Sequence, residues 1–305
     1  MMKLSRARYK DACEFIRKHA RPLDVSLFRF HFENGGQEAV LEELSKYQNK
    51  DGGFGHGIEP DFRLKASSPM ATSVGIQYYQ DIDGPSEHPM IKSAVAYLIS
   101  TYSSELGFWP ATFEEVNDEP HAPWWHFRGM ARPEGVEWAN PSAEIAGYLN
   151  KYSIYVSPEL LESINHNIRE YLEEHKIIGS WLYNIMCWER AYEFFPEPLR
   201  SIAKETILTS FQSMLPLPQE RLGEIKIYWL APHHDSLLIQ VAPDIVRSYL
   251  EQEIEKQADD GGWWPTWHWG QYEDMWPMAE KEWAGKKTVE CLRTLQEFDL
   301  IEGFE

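Results

Sequence analysis

The segment Gln48-Asn49-Lys50-Asp51-Gly52-Gly53-Phe54 returns near the other end of the chain as Gln257-Ala258-Asp259-Asp260-Gly261-Gly262-Trp263. Each copy of this Gln-x-x-Asp-Gly-Gly-aromatic pattern follows a helical stretch. The glycine pair supplies the conformations that end a helix, and the aromatic packs back on it. A repeated helix exit implies a repeated architecture. A degenerate copy, Leu106-Gly107-Phe108-Trp109, stands 54 positions after the first, from Gly53 to Gly107. Gly262 follows Gly107 by 155 positions, close to three periods of about 52 residues.

Apolar residues at a 3.6-residue period recur from end to end, whereas alternation of the strand type is short-lived. The pattern predicts helices over 4–19, 22–33, 36–48, 68–82, 88–103, 141–154, 158–175, 179–195, 197–213, 234–242, 243–258 and 282–298. Asn140-Pro141, Ser157-Pro158 and Pro243-Asp244 supply start signals. Twelve helices make six pairs if helix 4–19 is the mate of 282–298. The expectation is therefore an all-α fold: one α/α toroid domain over residues 1–305, six inner helices ringed by six outer ones, closed by the two chain ends.

In that arrangement four long links, 49–67, 104–140, 214–233 and 259–281, emerge on one rim. Long loops inside a compact domain are usually functional, and ten of the 13 tryptophans fall in these four. The sequence therefore places the site at the rim.

The net charge of −19, with no basic cluster, argues against nucleic acid. No apolar run reaches the length of a membrane span, and the amino terminus lacks a signal-peptide pattern, so a cytoplasmic protein without integral membrane association is expected. Cys13, Cys187 and Cys291 lie in helical patterns and read as core residues of a reducing compartment. The expected partner is a small hydrophobic or saccharide ligand, and the sequence leaves the oligomeric state open.

The two full motif copies, at periods of about 50 residues in an all-helical chain, resemble the repeat of the terpenoid cyclase and protein prenyltransferase superfamily. The resemblance is sharp at 48–55 and 257–263. It implies the α/α barrel, a central aromatic funnel, and a structural rather than catalytic role for Gln48 and Gln257. The superfamily's catalytic signatures do not carry over. The Asp-x-Asp-Asp acid motif is missing, Asp259-Asp260 being the nearest match. Ile185 and Val289 stand where a zinc-binding aspartate would precede Cys187 or Cys291. The resemblance thus implies a scaffold more firmly than a reaction.

Chemistry must then come from the loops. Glu59-Pro60-Asp61-Phe62-Arg63 offers two carboxylates, with Arg63 able to orient one of them. Asn117-Asp118-Glu119-Pro120-His121-Ala122-Pro123-Trp124-Trp125-His126 gathers acids, imidazoles and paired tryptophans in a proline-stiffened loop. Pro232-His233-His234-Asp235 opens the helix predicted at 234. Glu59, Asp61, Asp118, His121, His234 and Asp235 are the candidate acid–base groups, since a carboxyl against an apolar wall keeps its proton and can donate it. Many acids beside helix starts serve merely as caps. Adjacent histidines on a helix point in different directions, so no metal site is assigned. No cofactor is expected, magnesium or zinc being the conceivable ones.

Trp124, Trp125, Trp267 and Trp269 are candidate substrate-binding residues in the loops. Trp181, Asn184 and Trp188 share one helix face, as core or as cavity wall, and Glu282 begins another with Trp283 and Lys286, pairing with Lys286 at i+4. Three functions fit: an isoprenoid enzyme using aromatic faces against a carbocation, a carbohydrate-active enzyme with two working carboxylates, and a non-catalytic ligand-binding protein.

Overall fold

The computed structural model describes residues 2–130, 138, 140–178, 182–215 and 226–304. Among these, thirteen α-helices form: α1 (Arg6–His19), α2 (Pro22–Phe32), α3 (Gln37–Ser45), α4 (Pro69–Asp81), α5 (Pro89–Ser100), α6 (Ser142–Lys151), α7 (Pro158–Glu174), α8 (Leu182–Ala191), α9 (Leu199–Ser213), α10 (Ile227–Leu230), α11 (Leu237–Val241), α12 (Pro243–Glu255) and α13 (Trp276–Glu297). β-structure among the described residues is limited to isolated bridges. The fold is all-α. No helix among the described residues is long and apolar enough to cross a membrane.

Helix starts follow local chemistry. Ser5, Ser68 and Ser157 cap α1, α4 and α7 by accepting from Arg8, Ala71 and Leu160 N–H. Proline opens α2, α4, α5, α7 and α12, where its missing N–H costs no helical bond.

Several helices end about three residues earlier than the sequence expectation, and three further differences bear on the candidate sites. The last helix begins at Trp276 rather than 282, because Pro277 in its first turn is a start signal. The helix expected over 234–242 shrinks to Leu237–Val241, and His233, His234 and Asp235 occupy the turn before it. The link 214–233 holds a helical turn, Ile227–Leu230, that ends two residues before Pro232.

The chain divides into two compact units, Met1–Glu43 with Pro216–Glu305, and Leu44–Leu215. In the first, α1 packs on α13 and α2, α13 also packs on α2 and α10, and α12 packs on α10 and α11. Leu4 pairs with Ile301 in a parallel bridge, so the first and last segments of the chain meet there. In the second unit, α6 packs on α4, α5, α7 and α8, while α9 packs on α7 and α8. Helix α4 is buried over most of its length, and α6 over its first eight residues. All three cysteines are buried.

The repeated motif is a helix tie, and the atoms correspond copy by copy. In the second unit, Gln48 Nε2 donates to Gly52 O (2.9 Å) and, on α5, to Met90 O (2.9 Å) and Ser93 Oγ (3.0 Å). Asp51 Oδ1 accepts from Gly53 N (3.0 Å), and Phe54 N donates to Thr72 Oγ1 on α4 (3.0 Å). In the first unit, Gln257 Nε2 donates to Gly261 O (2.8 Å) and to Arg8 O on α1 (3.0 Å). Asp260 Oδ1 accepts from Gly262 N (3.0 Å), and Trp263 N donates to Thr288 Oγ1 on α13 (3.0 Å).

The degenerate copy makes the same tie with different residues. Trp109 N donates to Ser142 Oγ on α6 (3.2 Å), and Asn167 on α7 donates to the Tyr102 hydroxyl (3.2 Å). Tyr102 thus stands where the other copies have glutamine. Trp109, not Phe108, is the equivalent aromatic: its Nε1 reaches Leu98 O (2.7 Å) as Trp263 Nε1 reaches Glu253 O (2.8 Å). Each tie joins a hydroxyl on one helix (α4, α6, α13) to a polar contact on a second (α5, α7, α1). Each of these hydrogen bonds contributes about 1 kcal/mol net, and the buried aromatic adds about 1.5–3 kcal/mol. In the last copy the role of α5 and α7 falls to α1, from the opposite end of the chain.

Candidate functional sites

In the second unit the two acid-bearing loops are stitched together through their backbones. Arg63 N donates to Pro120 O (2.8 Å), Ala122 N donates to Asp61 O (2.7 Å), and Phe62 pairs with His121. Glu59 and Asp61 are 5% and 4% exposed, so two carboxylates are withdrawn from water within three residues. His121 is buried beside them in the pairing. Its Nδ1 lies 2.6 Å from Glu119 O and must carry the proton of that bond, because a carbonyl only accepts. Its Nε2 faces His126 Nδ1 at 3.1 Å, with the rings stacked, and His126 is exposed. One proton bridges the two imidazoles, and the pair runs from the buried platform to solvent.

The rest of that loop is held rigidly. Asn117 donates to Phe127 O (3.1 Å) and accepts from Phe127 N (2.8 Å). Trp125 packs edge-on to Phe62, and its buried Nε1 has no partner among the described residues. Trp124 is 49% exposed and Asp118 is exposed as well.

A third buried carboxylate, which the sequence reading missed, lies at the start of α6. Glu144 accepts from Gln77 Nε2 on α4 (2.8 Å) and from the Tyr148 hydroxyl, and faces Arg190 on α8 (3.5 Å). Burial and the neighbouring Glu144 charge hold the Tyr148 hydroxyl far above its ordinary range, so it remains a donor. Glu144 joins three helices and acts as a structural anchor.

Other predicted residues of this unit separate. Trp188 is fully buried, stacked on Tyr171 with ring centroids 5.8 Å apart, which makes it core rather than cavity wall. Asn184 is half-buried on the same helix. Trp181 lies outside the described residues.

In the first unit the predicted residues lead to a cluster that was not foreseen. Trp267 meets Trp283 edge-on at 5.3 Å and Trp229 at 6.3 Å, and Trp229 lies 5.9 Å from Trp283. Trp229 and Trp267 are half-buried, so the three rings form a wall with an open side. Trp229 Nε1 donates to Glu290 (2.7 Å). Lys286 pairs with the same Glu290, four residues on, and Glu282, its partner in the sequence reading, is half-buried one turn earlier on the same helix. Trp269 is buried against Trp276 and belongs to the core.

Two lysines lie beneath this wall, Lys226 at 2% and Lys287 at 1% exposure. Lys287 Nζ donates to Trp264 O and sits 4.9 Å from the centre of the Trp267 ring. Lys226 donates to Thr266 Oγ1 (3.3 Å). Burial drives both ammoniums below the ordinary lysine range, and Lys226 lowers Lys287 further by like-charge repulsion. Glu253, buried on α12 and bonded by Lys256, opposes the shift. Burial, then Glu253, hold the Cys291 thiol well above its ordinary value, so it stays protonated.

His234 and Asp235 belong to the same unit but sit in an exposed turn, with His234 against Phe298 just beyond α13. Eleven residues separate Lys287 from Phe298 (298 − 287), roughly 16 Å along a helix, so these two residues stand apart from the lysine cluster. Among the described residues, no group of three or more His, Cys, Asp or Glu side chains is placed to hold a metal ion. Comparison of the chain with protein-family models, with curated proteins and with solved structures finds no match.

Proposed function

We propose that the chain is a prenyltransferase-like or terpenoid-cyclase-like protein that takes an isoprenoid or another hydrophobic substrate against aromatic faces. The observation that carries this reading is the wall of Trp229, Trp267 and Trp283, with its open side and the half-buried Glu282, Lys286 and Glu290 along α13. Aromatic faces bind apolar chains and stabilise cationic character in them. Three equivalent helix ties, one of which recruits α1 as the partner of α13, support the repeated helical scaffold that goes with this reading. The buried Nε1 of Trp267 has no partner among the described residues, which favours a substrate carrying one oxygen function over a bare hydrocarbon.

Tryptophan fluorescence tests the reading. Titration with farnesol should give saturable quenching that a cello-oligosaccharide does not reproduce. Trp267→Ala should weaken farnesol binding about tenfold, equivalent to about 1.4 kcal/mol. Quenching by the sugar alone would reverse the order of the two readings.

A carbohydrate-active enzyme is the second reading, and the joined loops favour it. Glu59 and Asp61 are withdrawn from water beside an imidazole pair that reaches solvent, an arrangement suited to proton transfer onto a glycosidic oxygen. In that case Glu59→Gln and Asp61→Asn should each lower hydrolysis of an aryl glycoside by about 100-fold or more while leaving circular dichroism unchanged. Full turnover in both variants would remove these acids from the mechanism.

A further inference from the structure

We propose that Lys287 is a nucleophilic amine that condenses with the carbonyl of an apolar aldehyde or ketone to form an imine. The substrate class rests on the hydrophobic-ligand reading of the tryptophan wall; the reaction goes beyond it. Three features of the first unit carry the inference. First, Lys287 Nζ is removed from water and donates to a single oxygen acceptor among the described residues, Trp264 O, so the other N–H groups of an ammonium there would meet no oxygen or nitrogen acceptor among those residues, only the Trp267 ring. Second, Lys226 stands near enough to repel a charge on Lys287, and Glu253, the buried carboxylate acting on both among the described residues, is already bonded by Lys256. A neutral Lys287 removes that repulsion. Third, Trp267 lies against this amine and carries a buried N–H without a partner among the described residues, a donor for a carbonyl oxygen.

The groups that set the protonation of Lys287 are Lys226 beside α10, Glu253 on α12, and Glu290 and Cys291 on α13 itself. Burial dominates them and favours the free amine, as does the repulsion from Lys226. A lysine desolvated beside a second cation is the usual way a protein makes an amine nucleophilic near neutral pH.

The step balances without a further reagent. The Nζ lone pair forms a bond to the carbonyl carbon. The two amine protons pass to the carbonyl oxygen, which leaves as water, and the nitrogen closes a double bond to carbon. Trp267 N–H holds the oxygen while charge develops on it.

The test uses the full chain with dodecanal as probe and dodecanol as its carbonyl-free match. Cyanoborohydride reduces any imine to a stable secondary amine, and peptide mass mapping locates it. The expected result is a dodecyl adduct on Lys287 at least tenfold more abundant near neutral pH than on any exposed lysine. Its yield should be nearly flat with pH where the exposed lysines gain steeply. Lys226→Met removes the like charge, raises the Lys287 pKa and should lower the adduct at neutral pH. The inference is overturned if Lys287 stays unmodified in the folded chain, or reacts with the pH profile of surface lysines. Dodecanol quenching without an adduct from dodecanal would reject the amine alone, whereas no quenching by either probe would reject the hydrophobic wall.

Discussion

Gly261→Ala and Gly52→Ala should be among the most damaging single substitutions in the chain. Gly261 has φ of +92° and Gly52 of +90°, a region that L side chains enter only under strain. A Cβ on Gly261 would lie 2.4 Å from Asp11 O, and one on Gly52 would lie 2.3 Å from Ser93 O, both backbone atoms that cannot rotate away. Backbone strain costs about 1–3 kcal/mol, and forced overpacking about as much again. Together these consume a large share of the roughly 5–15 kcal/mol that holds a domain folded. Urea unfolding followed by tryptophan fluorescence would measure the loss. Gly270→Ala separates the two costs, because Gly270 has φ of +67° but open space where its Cβ would stand. It should lose only about 1–2 kcal/mol. Equal losses at Gly261 and Gly270 would mean that the close approach to α1 contributes nothing, and that the tie is looser than its hydrogen bonds imply.

Why these glycines could be found in the sequence, and the lysines could not, follows from the range of the interactions. Asp51 and Asp260 each bond the N–H two residues ahead, so the exit motif is encoded within seven residues and reads as a pattern. Helix identity was equally local, through apolar period and start signals such as Ser157-Pro158. The failures came where the deciding contact is remote or chemically substituted. Tyr102 makes the glutamine's tie with a phenol, which no search for glutamine would find, and the loop from Tyr102 to Trp109 is one residue longer than that from Gln48 to Phe54, which shifts the apparent register of the third copy. Glu59, Asp61 and His121 were visible as neighbours in composition. That their loops pair through Arg63, Pro120 and Ala122 depends on backbone bonds that composition does not encode. Lys226, Glu253 and Lys287 come from three separate segments, and a lone lysine in a helix ordinarily reads as a solvated side chain. One signal was present: Lys287 falls between Trp283 and Cys291 at spacings of four, on the apolar stripe of α13.

A lysine on that stripe should cost stability, and the cost should depend on pH. Burial, and then repulsion from Lys226, place its folded pKa well below the ordinary 10.5 of the unfolded chain. Between those two values the unfolded chain binds the extra proton, so stability rises with pH across the window. Below the folded pKa the full penalty remains. Lys287→Met fills the same space without a charge, and such exchanges of a buried charge for an apolar side chain are often neutral or stabilising by about 1–4 kcal/mol. The variant should therefore unfold at higher urea than the parent near neutral pH, and its advantage should shrink as the pH approaches the unfolded lysine value. Cys291 contributes in the opposite direction: its thiol stays protonated above the ordinary 9.0, so the folded state loses ground in alkali, but both proteins carry it. Matched urea curves across the pH range would decide. A variant destabilised equally at every pH would show that Lys287 is held as a charged member of the Glu253 cluster, with no free amine beneath the tryptophans. A pH-dependent gain would instead mark Lys287 as a residue retained against the stability of the fold, which is how a reactive side chain is expected to look.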